Sequence, residues 1–259
     1  QNSAARRYLK KVNNFNYNTA IWGITNDNLG YLQINDMVCF NRFNVSQTLT
    51  DSNNWKQFEK KWNHRSDYEN DNVKVVRKLM NIILKEFENT DGLILDFRFN
   101  EGGYAFNAVG LLSFFNDSVK NIFTEKAKTE VGYTEPYSIK LQSQPNSYTK
   151  KTVLLTSRGT LSGGEIFTLG SLSLPQITRI GNNTSGHFSS FCGKAIPNGW
   201  TYYMSMEVCK DMNGNNYEEI GITPHIKTNS ITSAIPFYKD LIKKEKDVTM
   251  EKAIEFLKQ

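Results

Sequence analysis

The chain of 259 residues is 39% apolar and 12% aromatic, enough to fill the core of one large α/β domain or two small ones. Its 31 basic and 26 acidic residues leave a net charge of +5, and the lysines scatter without forming a stripe, so nucleic acid is not implied as a partner. No window approaches the roughly 18 consecutive apolar residues of a membrane span, and Cys39, Cys192 and Cys209 form no CxxC pair, which speaks against a thiolate zinc site and leaves one disulfide with a spare thiol open.

Residues 4–12 carry a short basic helical pattern, after an opening QNSAARRYLKK that lacks the apolar core of a secretion signal. TAIWGI and GYLQI, with Asn26, Asp27, Asn28 and Gly30 as turn residues, then read as a strand pair. Within the polar stretch 44–71, Trp55, Phe58 and Trp62 sit at helical spacing and predict a surface helix packed by its aromatics. Val76, Leu79, Ile83 and Phe87 mark an amphipathic helix over 72–87, and DGLILDFRF follows as a buried strand. After NEGG, AFNAVGLLSFF is helical, residues 120–132 and 136–143 are extended, KKTVLLTS is a second buried strand and GGEIFTLGSLS begins another helix. The region 178–227 is β-rich, with PNGW and MNGNN as turns, and KDVTMEKAIEFLKQ closes the chain as a helix opened by Asp247 or Thr249. This alternation predicts an α/β fold. One domain over 1–259 is the economical reading, with 1–70 as a candidate subdomain.

The segment TSRGTLSGGEIFT, residues 156–168, raises a chemical question. A serine attacks a carbonyl only with a base in reach and donors aimed at the oxyanion that forms. Ser162 stands between a buried strand and the mouth of a helix, where backbone N–H groups lack partners and the local potential is positive. Gly163 and Gly164, having no Cβ, would let a substrate backbone approach those groups. The competing reading is a capping box, with Ser162 bonding the amide at 165 and Glu165 reaching back. A second pair, Gly102 and Gly103 in FNEGG, follows the strand LILDFR, and ligands of α/β sheets gather at such strand ends. An ordinary turn explains either pair alone; together they could supply two halves of one oxyanion hole.

Three segments, GLILDFRFNEGG, TSRGTLSGGEIF and IGNNTSGHFSS…PNGWTYYMSMEVCKDMNGNNYEEIGITPHI, together resemble the tail-specific or C-terminal processing serine peptidases of family S41, which also hold the tricorn core peptidase and the retinoid-binding repeats. The resemblance implies a crotonase/ClpP-like superhelix of β-β-α units and a polypeptide substrate, with no metal or cofactor. It implies Ser162, three places before the acidic residue of the family's S-x-S-x-S-E pattern, as nucleophile, with Gly163 and the pair Gly102 and Gly103 as oxyanion donors. The PDZ module that precedes the core in relatives is not recognisable, so the chain reads as the catalytic core of a longer precursor. An extracytoplasmic place of action is inferred from the family alone.

The base is where the sequence departs from many members. They place a lysine 25 residues after the serine; that position here is His187, in TSGHFS. Histidine is the side chain whose charge ordinarily changes near neutrality, and it would take the serine proton directly. The alternative is a histidine upstream of Gln1, as tricorn-like members draw theirs from before the core. His64 reads as solvated and His225, in GITPHI, as structural. Glu218, in YEEIG, matches the glutamate that in tricorn-like members orients the histidine by way of a serine, with Glu219 as its solvated neighbour. Two other functions stay open: a peptide- or hydrophobe-binding module that has lost catalysis, and, more remotely, an acyl-CoA enzyme of the crotonase type.

Overall fold

Strands whose apolar residues alternate sides must bury both faces, and in the computed structural model the central sheet does so. The structure describes residues 7–16, 18–38, 40, 65–228, 239 and 246–259. The expected helix carrying Trp55, Phe58 and Trp62, together with His64 and Cys39, lies outside them.

The described chain runs through β1 (Asn13–Phe15), β2 (Ala20–Ile24), β3 (Gly30–Ile34), α1 (Arg65–Glu86), β4 (Leu93–Asp96), α2 (Ala105–Leu112) and a 3-10 turn at Ser113–Phe115. It continues through β5 (Lys120–Thr129), β6 (Gly132–Tyr133), β7 (Tyr137–Leu141), β8 (Thr152–Thr156) and α3 (Gly163–Ser171). The remaining elements are β9 (Ile177–Gly181), β10 (Phe191–Ala195), β11 (Thr201–Ser205), β12 (Glu207–Lys210), β13 (Ile226–Lys227) and α4 (Val248–Leu257). Seven strands form one sheet in the order β1-β2-β3-β4-β8-β9-β13. The hairpin β2-β3 expected from TAIWGI and GYLQI is antiparallel, pairing Trp22 with Leu32, whereas β3-β4, β4-β8 and β8-β9 are parallel. The basic stretch at the start differs from its expectation: helix gives way at Leu9, which bridges Thr25 and so extends the sheet.

Period-two alternation decides the layers. Trp22, Leu32, Ile34, Leu95 and Leu154 face a core shared with Val76, Leu79 and Ile83 of α1, Leu111 of α2 and Phe167 of α3. Ile21, Tyr31, Ile94, Val153, Leu155 and Ile180 face the other way, onto Met250, Ala253 and Leu257 of α4. A separate antiparallel group, β12-β5-β6 with β7 on β5, stands beside the first core, and among the described residues β10 pairs with β11 alone. Cys192 and Cys209 are free thiols, so the disulfide left open by the sequence is absent between them; Cys192 is registered with Met204 and Cys209 with Glu125.

The helix α4 is opened by Asp247, whose carboxylate accepts the amides of Thr249 and Met250. The same carboxylate takes a hydrogen bond from Arg98 Nη1 at 2.9 Å, while Arg98 Nε and Nη2 grip Asp96 at 2.9 and 2.6 Å. All three side chains are buried. Burial alone would raise the Asp96 pKa, yet the Arg98 guanidinium holds it below the ordinary carboxylate value. Breaking a buried ion pair from one side strands charge without water, at a cost of about 3–5 kcal/mol. Arg98→Met is therefore expected to destabilise the protein by about that amount in urea unfolding at pH 7. A carboxylate with a depressed folded pKa contributes fully above about pH 4 and loses that contribution as pH falls through the folded value. The acid-unfolding midpoint of the variant should accordingly move toward neutrality, and an unmoved midpoint would argue against the triad.

Candidate active site

The site follows from two neighbouring parallel strands that end at the same edge. Every residue of β8 is buried, and the loop after it is sewn to the loop after β4. Thr160 Oγ1 donates to the Phe97 carbonyl at 2.7 Å, Ser157 Oγ donates to that of Arg98, and the Leu161 amide donates to that of Asn100 at 3.0 Å. These bonds bring the bend holding Gly102 and Gly103 against the turn that starts α3.

Ser162 occupies that turn with φ 51° and ψ −119°, a region non-glycine residues rarely enter. Such strained strand-to-helix corners are a device for exposing a nucleophile. The capping box does not form: Ser162 makes no side-chain cap bond, and the Glu165 carboxylate reaches another loop altogether. Ser162 is half-buried, and its hydroxyl takes no hydrogen bond among the described residues.

The two bends pack backbone against backbone. A Cβ on Gly102 would lie 2.4 Å from the Ser162 Cβ and 3.0 Å from the Gly163 nitrogen, and one on Gly163 would lie 2.8 Å from the Gly103 oxygen. Gly102 and Gly103 also have φ of 84° and 128°, so only glycine fits this bend without strain. Asn100, fully buried, is the hub. Its Oδ1 accepts the Gly102 amide at 2.9 Å, its Nδ2 donates to the Ile34 carbonyl at 2.9 Å, and its side chain fills the space over Gly164. The Gly102 amide is thus engaged, whereas the amides of Gly103 and Gly163 make no hydrogen bond among the described residues.

The loop 184–188 closes over the turn. Its Ser185 amide donates to the Thr160 carbonyl at 2.9 Å, and the His187 carbonyl accepts the Ser162 amide at 2.9 Å. The imidazole is exposed, with Nδ1 2.6 Å from Ser185 Oγ, and no hydrogen bond joins it to the Ser162 hydroxyl. Glu218, half-buried, accepts the Phe188 amide at 3.1 Å, so it meets the histidine's loop through backbone and not through the ring. Its neighbour Glu219 is exposed and has φ 67°. His225 lies elsewhere: Arg179 of β9 donates its amide to His225 Nδ1 at 3.1 Å, and burial followed by the Arg179 charge depresses its pKa.

Sequence reasoning singled out neither Asn100 nor the true partners of Glu165. Burial pushes the Glu165 carboxyl up, against hydrogen bonds from Thr184 and the amides of Gly186 and His187. The signal for Asn100 was faint: one amide side chain between an apolar strand and a glycine pair.

The chain is 28% identical over 142 residues to the carboxy-terminal processing protease CtpA of Bacillus subtilis (strain 168), a match covering 55% of this chain and 29% of that protein. It is 27% identical over 165 residues to the nisin-resistance protein of Lactococcus lactis subsp. lactis, covering 60% of this chain and 52% of that protein. The matched part of this chain therefore spans about half or less of each of these relatives. A solved structure of a candidate peptidase from Parabacteroides merdae ATCC 43184 shares the fold with a TM-score of 0.70 at 20% identity, over 96% of this chain and 66% of that one. The model of peptidase family S41 matches residues 28–228, which is most of the chain. The chain belongs to peptidase family S41.

Proposed function

We propose that this chain carries the catalytic part of a serine endopeptidase with Ser162 as nucleophile. The observation that carries the reading is the convergence of the two glycine bends on a serine held in a strained corner, 2.4 Å from where a Gly102 side chain would begin. A polypeptide would lie across the ends of β4 and β8. The Ser162 oxygen bonds to the carbonyl carbon as its proton passes to an imidazole, and the carbonyl oxygen becomes an oxyanion facing the amides of Gly163 and Gly103. Collapse breaks the C–N bond and the amine leaves with that proton; water then hydrolyses the acyl-enzyme by the same route and restores the hydroxyl.

His187 takes the base's part. Ser185 engages Nδ1, which leaves Nε2 for the serine, and such catalytic hydrogen bonds often tighten only when substrate is bound. Glu218 supports it as an anchor of the adjacent Phe188 amide. Gly102 contributes by lacking a side chain, since its amide is held by Asn100. The place of action, outside the cytoplasm, is read from the family resemblance. One observation favours a second reading, a peptide-binding module without catalysis: the Ser162 hydroxyl and the imidazole are not hydrogen-bonded to one another.

A fluorophosphonate separates the two. Wild-type protein is expected to become covalently labelled at Ser162, and Ser162→Ala to lose both label and peptide cleavage; wild-type protein that binds peptide and takes no label would decide for the binding module. Gly102→Ala, which pushes a methyl into the nucleophile's own Cβ, should lower kcat/KM by about 10²–10³, the scale of losing one oxyanion donor, while circular dichroism stays native. A variant as active as wild type would mean that the two bends do not form the site.

A further inference from the structure

Glu165 lies in the first turn of α3 and has no solvent exposure. Among the described residues no lysine or arginine pairs with it. A carboxylate withdrawn from water must find hydrogen bonds in its place. Glu165 finds them on the loop that carries His187: Oε1 accepts the Gly186 amide at 2.8 Å and Oε2 accepts the His187 amide. That loop is bonded to the same helical turn a second time, through the Ser162 amide and the His187 carbonyl at 2.9 Å. Within the turn the Glu165 amide donates to the Ser162 carbonyl at 2.8 Å. Ser162, Glu165 and His187 are thereby joined in a closed circuit of bonds, and the circuit includes the strained peptide of the serine itself.

We infer that Glu165 is a positioning residue, which clamps the histidine-bearing loop onto the nucleophile's turn and keeps the Ser162 backbone in its strained conformation. The inference rests on the peptidase reading above. It differs from the capping role that S-x-x-E suggests, because the carboxylate serves a loop about twenty residues further along the chain and not its own helix end. The chemical requirement is specific. Two adjacent N–H donors need two acceptor oxygens, and a glutamine of the same size offers one oxygen and turns an NH₂ group toward the other amide. Small displacements of catalytic groups from changes outside the chemistry cost up to about 10²-fold in rate.

The test is Glu165→Gln, compared with wild type by fluorophosphonate labelling, by peptide cleavage and by amide hydrogen exchange. The labelling rate constant and kcat should fall by roughly 10–100-fold with KM within about twofold, since the side chain touches no substrate. Exchange at Gly186 and His187 should quicken while Ile166 and Phe167 in α3 stay protected. If Glu165→Gln does not fold, Glu165→Asp, which keeps the charge and shortens the reach, is read in the same way. Wild-type labelling with an unchanged rate in the variant, or unchanged exchange at Gly186 and His187, would overturn the inference while leaving the peptidase reading intact. Wild-type protein that takes no label would overturn the peptidase reading, and the catalytic role of Glu165 with it.

Discussion

The site depends on one constraint: β4 and β8 are parallel neighbours in register, Leu93 beside Thr152 through Asp96 beside Leu155, so their loops leave the sheet at the same edge and side by side. Parallel neighbours deliver two chain ends to one place, and in open α/β sheets such edges are where ligands bind. Everything close to Ser162 elaborates that proximity. Short contacts between the bends exclude any Cβ at Gly102 or Gly163, Met37 and Val38 exclude one at Gly103, and hydrogen bonds from Thr160, Ser157 and Leu161 fix the spacing. The strain at Ser162 is tolerated because the peptide is held on both sides, by His187 and by the turn of α3.

Much of the fold was legible because its signals are local. Val76, Leu79 and Ile83 repeat with helical period and face one core, as the pattern required. Asp247 offers a capping carboxylate one residue before α4, and it caps that helix. The strands DGLILDFRF and KKTVLLTS were evident as apolar runs, though their pairing was not, since a parallel partner is set by tertiary packing and leaves no mark in either segment. The start of the chain departs from its helical pattern only from Leu9 onward, for a related reason: residues 7 and 8 are helical, and the following residues take an edge position that the neighbouring chain after β2 creates.

The site was legible in its glycines and its serine, because those residue types record backbone demands. It was less legible in its acids. Glu165 fits a capping box by spacing, and spacing cannot say that the side chain turns toward a loop brought in by β9. Glu218 was expected to act through a serine on the imidazole, while the structure sets its carboxylate on the Phe188 amide. Both acids bond to backbone amides, and main-chain donors carry no side-chain signature that a sequence pattern could expose.

The tie between Arg98 and Asp247 spans 149 positions of the chain. A ribosome releases residues from the amino end, so β4 and the bend after it emerge long before the carboxylate that will neutralise Arg98. Until α4 arrives, the face of the sheet formed by Ile94, Val153 and Leu155 lacks the cover of Met250, Ala253 and Leu257, and the Arg98 guanidinium lacks the Asp247 carboxylate. Maturation of this face is therefore a late, long-range closure, of the kind that slows folding and makes nascent chains depend on shielding until synthesis has passed the last helix.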